Sequence, residues 1–245
     1  MLQPQIVAAY DAGNHNKHVG LTVKRLEKSA AYKDLSTIVI IPALGMLPTK
    51  VAAALMNLYS PPNQKRVVLW ALGQEVGEAY SNTIQMVLDN PDLASFKYIL
   101  TIEHDNIPPP DGQVNLLARM AAHPEYSAIG GLYFTKGPGG QPQIWGNPAE
   151  PLNFKPQPPR QDGGLIECIG TGMGFTMFRM EMFKDKKLRR PWFKSTASQA
   201  EGLTTQDLYF WNDAFKHGHK AAIDCSVRVG HLDYDGKFGP PDTVW

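Results

Sequence analysis

Thr37-Ile38-Val39-Ile40-Ile41 is the stretch that most narrows what this chain can fold into. Every residue in it is β-branched, and such side chains fit a pleated strand better than a helix. After Thr37 the run has no polar position to turn toward water, so the strand must be covered on both faces, as in a largely parallel sheet. Pro42 ends it, and Pro48-Thr49 opens a segment of strong helix formers over 50–59 that stops at Ser60-Pro61-Pro62-Asn63. The alternation then repeats, with strands expected over 66–70, 98–102 and 127–131 and helices over 75–88 and 113–122. This rhythm predicts an α/β fold: one doubly wound, Rossmann-like domain with a mostly parallel central sheet.

The C-terminal half is more elaborate. A Pro/Gly-rich tract over 137–164, carrying Trp145, breaks the rhythm and reads as a binding loop or lid. Strands are expected over 165–169, 175–178 and 221–229, with a turn at Gly170-Thr171-Gly172-Met173-Gly174. A helix over 205–216 is marked by Leu208, Trp211 and Phe215 on one face and by Gly218 at the C-cap position. The expected organisation is an N-terminal extension of unassigned role over 1–36, with a helix over 19–32 whose Leu21, Arg25 and Lys28 hint at a solvated face. The domain follows over 37–235, then a tail over 236–245.

Composition removes several function classes. The 24 basic and 23 acidic side chains leave a net charge of +1, which argues against a nucleic-acid partner. At 245 residues the chain can bury a full core without disulfides, and its two cysteines, Cys168 and Cys225, read as buried free thiols. The longest apolar run, over 38–47, is about half of what a membrane helix needs, and the N-terminus lacks the pattern of a secretory signal. A cytoplasmic location follows as the expectation, and peripheral membrane contact stays open.

In open α/β sheets ligands bind beyond the carboxyl ends of the strands. Three places there carry usable chemistry. Glu103-His104-Asp105-Asn106 follows the strand over 98–102, and two carboxylates one residue apart can approach one divalent cation. An acidic turn that solvates the strand end is the structural alternative. His231 follows the last long strand and could complete a carboxylate–imidazole site suited to Mn²⁺ or Mg²⁺. Asp207, in the first turn of its helix, could be a general base, although the helix dipole favours an acid there in any case. Gly170 and Gly172 could bring backbone close to a ligand or simply make a tight turn. Trp145 and Trp192 could stack on a ring or pack in the core.

The ordered set of Ile41-Pro42-Ala43, Glu103-x-Asp105-Asn106, Gly130-Gly131-Leu132-Tyr133, Gly170-Thr171-Gly172, Gln206-Asp207 and Gly230-His231 resembles the GT-A class of nucleotide-sugar glycosyltransferases. It is closest to the group that includes family 2, and the resemblance covers about residues 37–233. It implies that Glu103 and Asp105 stand at the DxD motif, with Asp105 on the metal and Glu103 on the metal shell or ribose. Pro42, Ala43, Ser81 and Asn82 would line the nucleotide site with Gly170 and Gly172. His231 would complete the metal site, and Asp207 would be the base of an inverting transfer. Trp145 would cover the acceptor. Three positions depart from the family pattern: Glu103 for the first Asp, Gln206 before the base, and Ser81 for Arg.

The implied activity is a metal-dependent transfer from a nucleotide-sugar donor to a hydroxyl-bearing acceptor, whether glycan, lipid, protein or small molecule. A retaining transfer without a protein base and a non-catalytic nucleotide- or sugar-binding module are the alternatives. A sugar-phosphate nucleotidyltransferase should carry a basic phosphate loop after the first strand, and residues 42–48 hold no Lys or Arg. A metallohydrolase lacks paired histidines apart from His217-Gly218-His219, which reads as a solvated turn at a helix end.

Overall fold

The computed structural model describes residues 5–10, 33–137, 139–198, 202–233 and 242–244. The helix expected over 19–32 lies outside the described residues. The elements expected from 37 onward form. Strands β1 (Gln5–Tyr10), β2 (Thr37–Ala43), β3 (Arg66–Leu72), β4 (Tyr98–Ile102), β6 (Ala128–Leu132), β7 (Leu165–Cys168), β8 (Phe175–Arg179) and β11 (Ala221–Arg228) make one eight-stranded sheet, ordered β1-β3-β2-β4-β8-β6-β11-β7. Five strands run in one direction, and β1, β7 and β8 run against them. The likeness to a doubly wound parallel sheet therefore holds at the centre and is broken by one antiparallel strand beside β4.

The β-branched run in β2 does what its continuity predicts. Ile38 and Ile40 pack into one hydrophobic core, and Val39 and Ile41 into the other, on the opposite face of the sheet. Helix α2 (Val76–Asp89) contributes Tyr80, Ile84 and Val87 to the first core. Helix α4 (Gly112–Ala122) contributes Leu116, Leu117 and Met120 to the second. Between them in sequence lie α1 (Thr49–Asn57) and the short α3 (Pro91–Ala94). After β8 come α5 (Met180–Lys184) and α6 (Gln206–Lys216). The first core holds an aromatic cluster in which Phe210 of α6 stacks on Phe193 with ring centres 4.5 Å apart. Trp192 is buried in that cluster, against Phe183, and so belongs to the packing rather than to a sugar-stacking surface.

The N-terminal extension is not wholly separate from the domain, because β1 pairs antiparallel with β3 along its whole length. A hairpin β9 (Thr196–Ser198) and β10 (Gly202–Thr204) precedes α6. A three-stranded ribbon of β5 (Asn106–Ile107), β12 (Gly230–Asp233) and β13 (Asp242–Val244) sits beyond the end of β4, with His231 registered opposite Asn106. Among the described residues, the tract over 137–164 carries isolated bridges, Trp145 with Pro156 and Gly170, and Phe134 with Pro142, but no strand longer than a bridge. Cys168 and Cys225 are buried free thiols, as expected. His219 differs from the solvated turn expected of it: its ring bridges Ser127 Oγ at 3.0 Å and Asp185 Oδ2 at 3.1 Å, tying the start of β6 to the end of α5. Among the described residues no helix is long and apolar enough to cross a membrane.

Candidate active site

β2 and β4 run side by side in parallel, so their carboxyl ends open on the same edge of the sheet. Pro42, Ala43 and Leu44 from the first, and Glu103, His104 and Asp105 from the second, line one cleft of about 410 Å³. Beyond β4 the chain turns sharply, Asn106 N–H donating to Glu103 O at 3.1 Å. The turn sends the two carboxylates different ways. Glu103 lies beside the Tyr80 hydroxyl, which donates to Met173 O at 3.5 Å, whereas Asp105 Oδ2 accepts a hydrogen bond from Lys136 Nζ at 2.5 Å.

His231 reaches the same oxygen from β12, its Nε2 lying 3.6 Å from Asp105 Oδ2. The β5–β12 pairing and the bond from Leu232 N–H to Asp105 O (2.8 Å) bring the two residues together. The ring packs edge-on against Tyr133, centres 5.5 Å apart. Its Nδ1 faces Phe134 O at 2.7 Å, and a carbonyl only accepts, so Nδ1 carries the proton of the neutral ring. In that neutral form the Nε2 lone pair faces a carboxylate oxygen. A gap of 3.6 Å is too long for a hydrogen bond, and it suits two ligands of one cation.

The expected three-ligand set does not assemble: among the described residues, no three His, Cys, Asp or Glu side chains converge in metal-holding geometry. Two of the three, Asp105 and His231, do meet. Mg²⁺ and ions like it are commonly held by one or two protein ligands with substrate phosphates filling the rest, and a backbone carbonyl orienting the histidine is the usual outer support. The pair therefore fits a divalent ion shared with a diphosphate.

The charges around the cleft shift one another. Burial would raise the Asp105 pKa, but His231, when its ring carries a second proton, and the Lys136 ammonium outweigh it and hold the carboxyl well below the usual range. Glu103 goes the other way, pushed up to about 8 by burial and then by the negative charges of Asp105 and Asp207, against the Lys136 ammonium and the nearby Tyr80 hydroxyl. Asp207 is buried near the start of α6, where its Oδ1 accepts from Leu208 N–H at 2.9 Å and from the Thr205 hydroxyl. Desolvation still raises its pKa above the ordinary aspartate value despite those bonds. The helix-dipole reading, which expects a low value, loses here to burial.

Gly77 lets the start of α6 come close to the start of α2. A Cβ on Gly77 would stand 3.1 Å from Gln206 Cβ and 3.2 Å from the Phe193 carbonyl carbon. Ser81 and Asn82 do not line the cleft of Asp105. The Ser81 hydroxyl is bonded to the backbone of Phe193, Asn82 bonds Gln74, and both face a neighbouring cleft of about 600 Å³ that shares Glu75. Trp145 is partly buried, its backbone paired with Gly170 and its indole N–H donating to Gln143 at 2.6 Å.

Side-chain packing by itself requires glycine at positions 170 and 172. A Cβ on Gly170 would meet Trp211 Cγ at 2.5 Å, and one on Gly172 would meet the Tyr133 hydroxyl at 2.1 Å. Gly172→Ala is therefore expected to cost about 1–3 kcal/mol, as forced overpacking does, readable as a lower urea midpoint. An unchanged midpoint would show that Tyr133 yields freely.

Lys136 is the residue that sequence reasoning missed. It stands four residues beyond β6, at the same carboxyl edge of the sheet, and that position was its only local signal.

No protein-family model and no curated protein sequence matches this chain. Solved structures do. A197 from STIV superposes with a TM-score of 0.56 and 18% identity, covering 81% of this chain and 86% of its own. S. aureus TarS 1–349 superposes with a TM-score of 0.50 and 13% identity over 79% of this chain, which spans 59% of that one. These likenesses show the fold: a single GT-A-like α/β domain.

Proposed function

We propose that this chain is a glycosyltransferase, moving a sugar from a nucleotide-sugar donor to the hydroxyl of an acceptor. The observation that carries the reading is the Asp105–His231 pair beside Glu103 at one edge of a GT-A-like sheet, with the buried Asp207 near enough to raise the Glu103 pKa. The nucleotide would lie in the cleft walled by Pro42 and Ala43. Asp105 and His231 would hold Mn²⁺ or Mg²⁺. When bound, the ion would neutralise the donor's diphosphate as charge develops on the leaving oxygen. Glu103, at the cleft wall, would receive a donor hydroxyl.

Asp207 would take the proton of the acceptor hydroxyl as that oxygen attacks the anomeric carbon, which inverts the configuration there. The raised pKa suits the task, since a carboxylate whose pKa is raised receives a proton more readily than an exposed aspartate does. Trp145 and the irregular tract around it would cover the acceptor and keep water from the donor.

A melting screen of UDP-, GDP-, CMP- and dTDP-sugars, with and without Mn²⁺, tests the reading on the wild type and on Asp105→Asn. A donor at 100 times its Kd adds about 2.7 kcal/mol, which raises the midpoint on the order of 5–10 °C for a chain of this size. The rise is expected for one nucleotide, only with metal, and not in Asp105→Asn. A folded wild type that no donor shifts would sink the reading.

A further inference from the structure

Asp105 Oδ2 faces two cationic or cation-seeking groups at once. Lys136 Nζ is bonded to it at 2.5 Å, and His231 Nε2 stands 3.6 Å away with its other nitrogen held by Phe134 O. The oxygen that a divalent ion would use thus already carries an ammonium.

The backbone that delivers Lys136 is pinned on both sides. Phe134 O is bonded to His231 Nδ1 at 2.7 Å, and Gly137 N–H donates to Asp233 Oδ2 at 2.7 Å. Both anchors belong to β12. The side chain itself is 37% exposed, against 11% for Asp105. A flexible four-carbon stem on a fixed frame can leave its partner without the frame moving.

We propose that the Lys136 ammonium and the divalent ion are alternative occupants of Asp105 Oδ2, and that ion binding releases Lys136 to the donor's diphosphate. Before loading, the lysine balances a carboxylate that is otherwise buried with an imidazole. On loading, Asp105 passes to the ion, and the ammonium that leaves it moves to the incoming negative charge, a phosphate oxygen. Lysine release and diphosphate capture are then one event, which favours ion and donor entering together. The inference rests on the donor-site reading above.

The two effects of removing the lysine have opposite signs, and a simple structural ion pair would not produce both. Were Lys136 on Asp105 nine-tenths of the time, the ion would meet a site weakened about tenfold. Lys136→Met should therefore bind Mn²⁺ alone about tenfold tighter than wild type, read by loss of the free-ion electron spin resonance signal. The same variant, saturated with Mn²⁺, should bind inorganic pyrophosphate more weakly than wild type in a calorimetric titration. Lys136→Arg keeps the charge and should recover pyrophosphate binding; melting midpoints confirm that each variant is folded.

Equal or weaker Mn²⁺ binding by folded Lys136→Met would overturn the exchange while leaving the donor site standing. So would pyrophosphate binding that does not fall in Lys136→Met. Failure of every protein, wild type included, to bind Mn²⁺ would remove the exchange and the metal-dependent reading together.

Discussion

If the chain transfers sugar as proposed, Asp207→Asn should lower the rate by about 10²–10⁴-fold, the usual contribution of a positioned general base. Donor binding, read as the metal-dependent melting shift, stays as in wild type. Both hydrogen bonds that hold the carboxyl fall on Oδ1, so proton transfer is assigned to Oδ2. Gln206 stands beside it and cannot accept in its place. The pH profile supplies a second check. A base works only when deprotonated, and burial raises the Asp207 pKa, so kcat/KM should rise with pH along a limb above the ordinary aspartate value. That limb should vanish in Asp207→Asn. A variant with the full wild-type rate would take Asp207 out of the chemistry and point to a transfer that retains the anomeric configuration.

Phe210→Ala destabilises the domain by about 3–5 kcal/mol, as removal of a fully buried phenylalanine does. The ring is 1% exposed and contacts Phe193, Trp211, Phe183 and Phe178, with centres 4.5, 5.0, 5.7 and 6.1 Å away. For a chain of this length the melting midpoint should drop on the order of 10 °C. A change below about 1 kcal/mol in urea unfolding would mean that the cluster collapses around the gap. The substitution reaches the chemistry as well, because Phe210 lies on α6 one turn after Asp207. Activity measured well below the midpoint should therefore fall more than the folded fraction does.

The central sheet was legible because its strands are short, apolar and separated by helix formers. The run in β2 states in five residues that both faces are covered, and two cores lie there. β1 was not legible: Gln5-Ile6-Val7-Ala8-Ala9-Tyr10 is too weakly patterned to mark itself as a strand, and only its pairing with β3 makes it one. The site was legible in part. Position at strand ends picked out Glu103, Asp105 and His231, but their spacing could not show that a turn parts the two carboxylates. Ser81 looked free to meet a nucleotide because its partner, the backbone of Phe193, is remote in sequence. Lys136 was overlooked for the same reason, since nothing near it announces Asp105. Gly170 and Gly172 suggested close approach correctly, yet the approaching groups are Trp211 and Tyr133.

His231 meets Asp105 through a ladder, in which it lies opposite Asn106. Facing in a ladder repeats every two residues. One residue inserted before His231 within β12 would turn the imidazole to the far side of the ribbon. Two would restore the side but carry it about 7 Å along. The connections that lead into the ribbon carry no such constraint, for lengthening a loop costs little and grows slowly. Descendants of this architecture are thus free to gain or lose length in the loops between the acid and the imidazole, but not in the strands, the helices or the few paired positions around the two residues. Ancestry would preserve the pair as a counted interval between strands, even where the intervening sequence has drifted past recognition.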